Sequence, residues 1–554
     1  VALSQGKRAL HNSSKHSGAK RIFVGSGIFV GVALIGATVA TVLEWPKAGF
    51  IESKTSLAHI ELAGVSQKIL NTIASVDGRP ILFKLVNGDL VPQQKLAEGV
   101  KVHISFTVER PSWISWLTGR TERLSETVIT PKATLLNTIA FDSPTKPLLA
   151  YFSSPVQMAA IDGPAGTKII DLTSRSKQLS LVDSIGSTLA GTITVAASPE
   201  TWESLPTPSQ ITYFRNSSSV PMAVVSQPLD SLSPSSPITI TLSKPVSQVF
   251  GAKMPSISPQ INGALLPQGK WVSNTPYSIT YTPTQADFWP SEQFTMTLPT
   301  KVAIAQGDGS VSSPTNTLSL QGAPPSITRL QQLLAQLNYL PLSFTSNSAL
   351  PTNSVNELAS TVLTTPVGSF NWKWSMPSNF TSLWQSGTYN VITRGAVMSF
   401  EQFNHLDTNG LNNPLLWPTL LQDVVANKTD PHRYSWIEVE KQRPEMLYLY
   451  ENGSMVFSTL VNTGIQGLNT TDGTYPIYLR FVQDYMSGTN PNGTTYHDLV
   501  HWINYFLGSE AVHGFVRSQY GFPQSLGCVE LPVSNAAIVY PQVHIGTLVT
   551  IVPQ

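Results

Sequence analysis

Apolar and polar positions divide this chain into stretches of different period. From Ile22 to Leu43 there are 22 consecutive positions without a charge, dominated by Ile, Val, Ala, Phe and Gly. At 1.5 Å per helical residue such a run spans about 30 Å of hydrocarbon. Lys7, Arg8, Lys15, Lys20 and Arg21 precede it with no acidic residue, and Glu44 and Trp45 follow it. That asymmetry predicts an uncleaved anchor with residues 1–21 as a basic cytoplasmic tail and the remainder outside. A cleaved secretory signal is the competing reading, but the apolar run exceeds the usual core of about 7–15 residues and Thr38-Val39-Ala40 is a mediocre cleavage site. A buried soluble helix would not need so long an uncharged stretch.

Beyond the run the period is mostly two. Val100-Lys101-Val102-His103-Ile104-Ser105-Phe106-Thr107-Val108 alternates as a strand does, within a β-rich domain at 50–140. Trp113 and Trp116, three apart, suggest a membrane or sugar contact, and more simply an apolar face packed in a core. An internal repeat follows. The 14 residues from Ser143 to Val156 align without gaps, at an offset of 90, with Ser233 to Val246, and six positions are identical. Units of that size, made of short strands between Pro, Ser and Gly turns, suggest Ig-like modules at 141–228 and 229–322 acting as spacers. Trp271, Tyr277, Tyr281 and Trp289 in the second could line a ligand surface, but strand aromatics are more often core.

Ala323-Pro324-Pro325 breaks the pattern. Ser326 then caps a run with Ile327, Leu330, Leu334 and Leu337 at helical spacing. The last 120 or so residues return to period two: Trp436–Glu440, Met446–Tyr450 and Met455–Val461 read as strands, with a hairpin turn at Glu451-Asn452-Gly453-Ser454. The chain is therefore expected to be multidomain and mainly β, with an N-terminal transmembrane helix, Ig-like modules, a small helical domain at 323–424 and a C-terminal β domain at 432–554.

Composition narrows the partners. The 34 basic and 33 acidic residues nearly cancel, so no phosphate-neutralising excess points to nucleic acid. Charged residues are only 12% of 554. No phosphate-binding Gly-rich loop of the Walker type is present. One cysteine, Cys528, excludes a disulfide framework within the chain and every multi-cysteine metal site. His497 and His501, four apart beside Asp498, would suit a metal pair on a helix, but no third ligand has a recognisable spacing, so neither metal nor cofactor is expected.

The sole thiol stands in Ser525-Leu526-Gly527-Cys528-Val529-Glu530, with His513-Gly514 fifteen residues upstream of it. A histidine can take the thiol proton and later give it to a leaving amine. Gly527 lets the backbone approach closely, so that N–H groups around Cys528 can face a developing oxyanion. Taken alone, a lone cysteine is more often a small buried hydrophobe.

Four words taken together bear on that reading. Asn462-Thr463-Gly464, Thr471-Asp472-Gly473-Thr474-Tyr475-Pro476-Ile477-Tyr478, Ala511-Val512-His513-Gly514 and Ser525-Leu526-Gly527-Cys528-Val529 together resemble the YkuD-type L,D-transpeptidase catalytic domain over about residues 434–552. The run from Thr328 to Leu340, with Arg394–Gly410 and Pro414–Leu420, resembles a peptidoglycan-binding three-helix domain interrupted by an insertion. The second β module resembles bacterial Ig-like modules. The resemblance implies a β-sandwich-like domain in which Cys528 attacks the third residue of a peptidoglycan stem, releases D-alanine through a thioester, and makes 3→3 cross-links. It implies His513 as base and acid, Gly527 and Cys528 as oxyanion donors, and the Ser525 backbone or hydroxyl as the group that orients His513. Gly514, Arg517, Tyr505, Trp502 and Leu526 are candidate substrate contacts. Peptidoglycan stems are the expected partner, carbapenem β-lactams the expected inhibitors, and a bacterial cell membrane with the C-terminal region facing the wall the expected location. Many family members carry a histidine where Leu526 stands and an arginine or asparagine where Glu530 stands.

A sortase needs an arginine after its cysteine, and beyond Cys528 there is no Arg or Lys. An NlpC-type peptidase places its cysteine before its histidine, and His544 follows Cys528 without supporting motifs. A wall-binding or adhesion protein with a degenerate terminal domain is the non-enzymatic alternative.

Overall fold

The computed structural model describes residues 47–553 except 52, 54–55, 64–67, 143–146, 216–219, 227, 307–308, 348, 352 and 411–412. The basic tail and the apolar run at 22–43 lie outside the described residues, as do the first four residues of the repeat. Among the described residues no helix is long and apolar enough to cross a membrane. The expected fold, mainly β with an N-terminal transmembrane helix, is corrected to this extent: the described residues are mainly β and hold no membrane-spanning helix. The membrane as a partner and the single-pass location likewise find no support among the described residues.

The chain divides into two units, 1–140 with 147–186 and 193–211, and the remainder. The first contains two four-stranded sheets. Strand Lys101–Glu109 shows the expected alternation, with Val102, Ile104, Phe106 and Val108 all fully buried. Helix Ser112–Thr118 differs from expectation. Only Ile114 is buried, while Trp113 is 44% and Trp116 80% exposed. Seven residues make barely two turns, so Ile114 alone reaches the core and both indoles are left in solvent.

In the second unit, residues 222–321 form a seven-stranded sheet around Ile238, Ile240, Phe288, Phe294 and Met296. Tyr281 is buried there and Trp271 packs against it, while Trp289 is buried in the neighbouring core of the helical module, so these aromatics are core residues. Helix Ile327–Gln336 begins at Ser326, whose hydroxyl accepts the Arg329 N–H. It packs with Val391–Phe403 and Leu416–Ala426 around Leu333, Leu334, Val397, Phe400 and Leu420. The same core takes in Trp436 and Leu548, from the first and last strands of the C-terminal domain.

That domain is two sheets. The first runs Ser454–Leu460, Met446–Glu451, Ser435–Glu440, Leu548–Val552, Gly473–Pro476, with the first and last strands of the domain parallel at its centre. The second runs Leu479–Thr489, Thr495–Leu507, Glu510–Gly514, Val529–Leu531. Asn452 and Gly453, both at positive φ, make the expected hairpin turn. Ile437, Val439, Leu447 and Leu449 from one sheet meet Phe506, Val512, Val529 and Leu531 from the other.

Helix Val391–Phe403 meets the final turn of this domain backbone to backbone. A Cβ added to Gly395 would lie 2.5 Å from the Gly546 carbonyl and 3.0 Å from Leu548 Cδ2. Alanine in a helix interior is normally favoured over glycine by up to about 1 kcal/mol. Here the clash dominates, and Gly395→Ala is expected to destabilise by on the order of 2 kcal/mol, read as a lower urea midpoint. An unchanged or raised midpoint would show the contact to be loose.

Candidate active site

Strand alternation positions the thiol. Val512 and Val529 are register partners in a parallel pair and face the core between the sheets. Ala511, His513, Cys528 and Glu530 therefore face the opposite side of the second sheet. There Cys528 packs with Val500, Ile503, Ala511, Met486, Tyr505 and Phe515.

The turn carrying Cys528 is held by hydrogen bonds from the matched words. Ser525 Oγ donates to the Cys528 carbonyl at 2.5 Å and accepts the Gly527 N–H at 3.2 Å. Ser525 N–H donates to the Thr463 carbonyl. Thr463 is in turn fixed by Glu445, a fully buried carboxylate that accepts its N–H at 2.7 Å and its hydroxyl at 2.8 Å. Gly464 has no room for a side chain, since a Cβ would meet the Leu468 carbonyl at 2.0 Å. Asn462 and Glu530 exchange backbone hydrogen bonds. Gly527 has φ +122°, open to glycine and strained for other residues. The words Asn462-Thr463-Gly464 and Ser525-Leu526-Gly527-Cys528 are thus two halves of one scaffold.

The Cys528 thiol and the His513 imidazole rest neutral. Burial pushes the Cys528 thiol up to about 12, and the charges of Glu530 and Glu510 add to this against a lowering hydrogen bond from Ala511. Burial pushes His513 down to about 4, with Arg517 adding and Gly514 opposing. Cys528 Sγ contacts the Ser509 carbonyl at 3.6 Å, and His513 Nδ1 is buried without a hydrogen-bond partner among the described residues. His513 and Cys528 share a face but are not hydrogen-bonded to each other in this resting arrangement.

Several expected site residues have other employment. Ser525, whose backbone or hydroxyl was expected to orient His513, spends its hydroxyl inside the turn and accepts the Ile465 N–H at its carbonyl, and the Gly527 N–H, expected at the oxyanion, is donated to the hydroxyl. Arg517 is bound bidentately by Glu530, with Nε and an Nη each 2.7 Å from a carboxylate oxygen, over the Phe515 ring. Trp502 is turned away from the thiol. It sits in a bulge at φ +59° and packs on Tyr540 and the inter-sheet core. Gly514 has a packing role, because a Cβ there would meet Ala536 and Val533 at 3.0 Å. Tyr505 does lie beside Cys528, and Leu526 is partly buried on the turn. His497 and His501 lie on a strand, not a helix. Four residues of strand separate their Cα atoms by about 13 Å, so they cannot share an ion. His497 instead bonds Ser487 at 2.6 Å and stacks on Tyr485.

Residues not anticipated complete the setting. Glu510 binds Thr471 through N–H at 3.0 Å and hydroxyl at 2.6 Å, so the Thr471-Asp472-Gly473 word holds a carboxylate next to Gly527. Tyr496 is near enough for Cys528 to act on it electrostatically. Glu510 was legible in principle: Gly508-Ser509 is a hairpin turn, and extending the register places residue 510 beside the cysteine turn.

Residues 434–551 match the family model described as L,D-transpeptidase catalytic domain, YkuD. The chain ends in a YkuD-type catalytic domain. No curated protein matches the chain. Among solved structures, an L,D-transpeptidase from Mycobacterium smegmatis is 12% identical, covering 60% of this chain and 99% of that one, at TM-score 0.21. The catalytic domain of the E. faecium L,D-transpeptidase is 21% identical over 22% of this chain and 99% of its own, at TM-score 0.20. An L,D-transpeptidase (Yku) from Stackebrandtia nassauensis is 18% identical over 32% and 87%, at TM-score 0.19. At such scores the YkuD-type assignment rests on the 434–551 match and the cysteine site.

The Arg517–Glu530 pair is open to a direct test. Glu530 is 5% exposed, so Arg517→Met leaves a buried carboxylate unpaired at a cost of about 3 kcal/mol. Arg517→Met with Glu530→Leu should recover most of that in chemical denaturation. A double variant no more stable than the single would show that the pair is not what holds this corner.

Proposed function

We propose that this protein is a cysteine-dependent peptidoglycan L,D-transpeptidase. The observation that carries the reading is the placement of the chain's sole thiol, within the YkuD match, on a scaffolded turn that shares the outer sheet face with His513. Cys528 Sγ attacks the carbonyl of the third stem residue, forming the S–C bond. The C–N bond to D-alanine breaks, and the thiol proton leaves on the amine of D-alanine by way of His513. The amine of a neighbouring stem then attacks the thioester, forming the 3→3 amide and returning a proton to the thiolate. His513 serves as base because it is neutral above about pH 4 and its Nδ1 is unengaged. For transfer to occur the thiol must leave the Ser509 carbonyl. With the Gly527 N–H given to Ser525, the Cys528 N–H is the turn's donor toward the oxyanion.

The β modules at 141–228 and 229–322 act as spacers in this reading, and the helical module at 323–424 as a peptidoglycan-binding-like element. Incubation with disaccharide tetrapeptide should release D-alanine, and incubation with a carbapenem should give one covalent adduct on Cys528 by intact mass. Neither event, together with sedimentation on purified wall, would favour a binding protein with an inactive terminal domain.

A further inference from the structure

Away from the thiol, Asp430, His432 and His544 bring three ligand atoms within 4.8 Å of one another, the one such group among the described residues. Asp430 and His432 lie just after helix Leu416–Ala426, and His544 lies in the last turn of the catalytic domain, before strand Leu548–Val552. We propose that these three side chains form a binding site for a zinc-like divalent transition cation that staples the helical module to the catalytic domain.

The anchoring is specific. Asp430 donates its N–H to the Leu337 carbonyl at 2.8 Å, and its side chain is only 7% exposed. Its Oδ1 accepts the His432 N–H at 2.9 Å and lies 2.9 Å from His432 Nδ1. His544 is fixed by a tight turn in which its N–H reaches Thr547 Oγ1 at 3.0 Å and the Thr547 N–H returns to its carbonyl at 3.1 Å. The two imidazoles stack at 4.6 Å with 23° between their planes.

Ligands about 2.0–2.1 Å from a tetrahedral zinc are about 3.3 Å apart. Asp430 Oδ1 and His432 Nδ1, 2.9 Å apart, need to open by about 0.4 Å to that spacing, and the third atom has at most about 1.5 Å to close. His432 can supply that movement, because its side chain is 50% exposed. Its exposure also gives the ion a way in and leaves the fourth position to water. Two imidazoles and one carboxylate select zinc or nickel over magnesium or calcium, which take oxygen ligands. Arg480 opposes an added cation, since its charge is felt at His544. It is tied to Asn504 at 2.8 Å and to the Tyr540 carbonyl, and it lies over the Tyr540 ring. Asp430 supplies the compensating negative charge.

The test uses the full chain carrying Cys528→Ser, which removes the competing thiol, after stripping with EDTA. Titration with zinc chloride should show one ion bound per chain and a raised Tm, with magnesium inactive at the same concentration. Asp430→Asn and His544→Ala should each weaken binding on the order of tenfold or more, and His497→Ala should not. If His544→Ala fails to fold by circular dichroism, the exposed His432→Ala must show the same loss. No stoichiometric binding at about 100 µM zinc, or binding untouched by His432→Ala, overturns the site.

Discussion

Cys528→Ala abolishes covalent capture of a carbapenem and lowers release of D-alanine by at least about a thousandfold, to the uncatalysed background. The chain has no second thiol to substitute, and the turn is held by Ser525, Thr463 and Glu445 rather than by the sulfur. The variant should therefore fold with an unchanged urea midpoint. Intact mass after incubation separates the outcomes: an adduct on the alanine variant would remove Cys528 from the reaction, and a shifted midpoint would mean that the sulfur packs more than it reacts.

His513→Gln slows acylation on the order of 10²- to 10⁴-fold, and the pH profile shows why. The imidazole is held down to about 4, so it is charged, and lost as a base, only below that value. The thiol is held up to about 12, so it ionises only above that. Between them both partners are neutral and the proton moves during attack, so the second-order acylation rate should vary less than about threefold from pH 6 to 9. Without His513 the thiol must ionise to water, and the rate of the variant should rise about tenfold per pH unit over the same range. A wild-type profile rising through pH 6–8 would instead reveal a preformed thiolate–imidazolium pair, contrary to the resting geometry.

Much of the fold was legible because burial repeats along the chain. Alternation placed Lys101–Glu109 and the first strands of the catalytic domain, Asn452-Gly453 placed a hairpin, and Ser326 placed a helix start. What was not legible depends on which side of an element meets something. Trp113 and Trp116 have the spacing of a buried face, but the helix is too short to bury them. His497 and His501 have a helical spacing on a strand, where the same interval separates them. The matched words point to Cys528 and His513 as candidates and give no sign that Glu530 pairs with Arg517, which the sequence offered only as a substrate contact. Asp430, His432 and His544 meet only through tertiary packing, and no local pattern announces them.

The shared core around Trp436 and Leu548 bears on how such a chain can be rearranged. A cut ahead of Tyr434 would bare a fully buried indole and a leucine on the central strands, and would open the seam at Gly546. The piece that recombination could move intact is the three helices with the two sheets. A catalytic segment transplanted alone would arrive with an adhesive flank and would tend to self-associate.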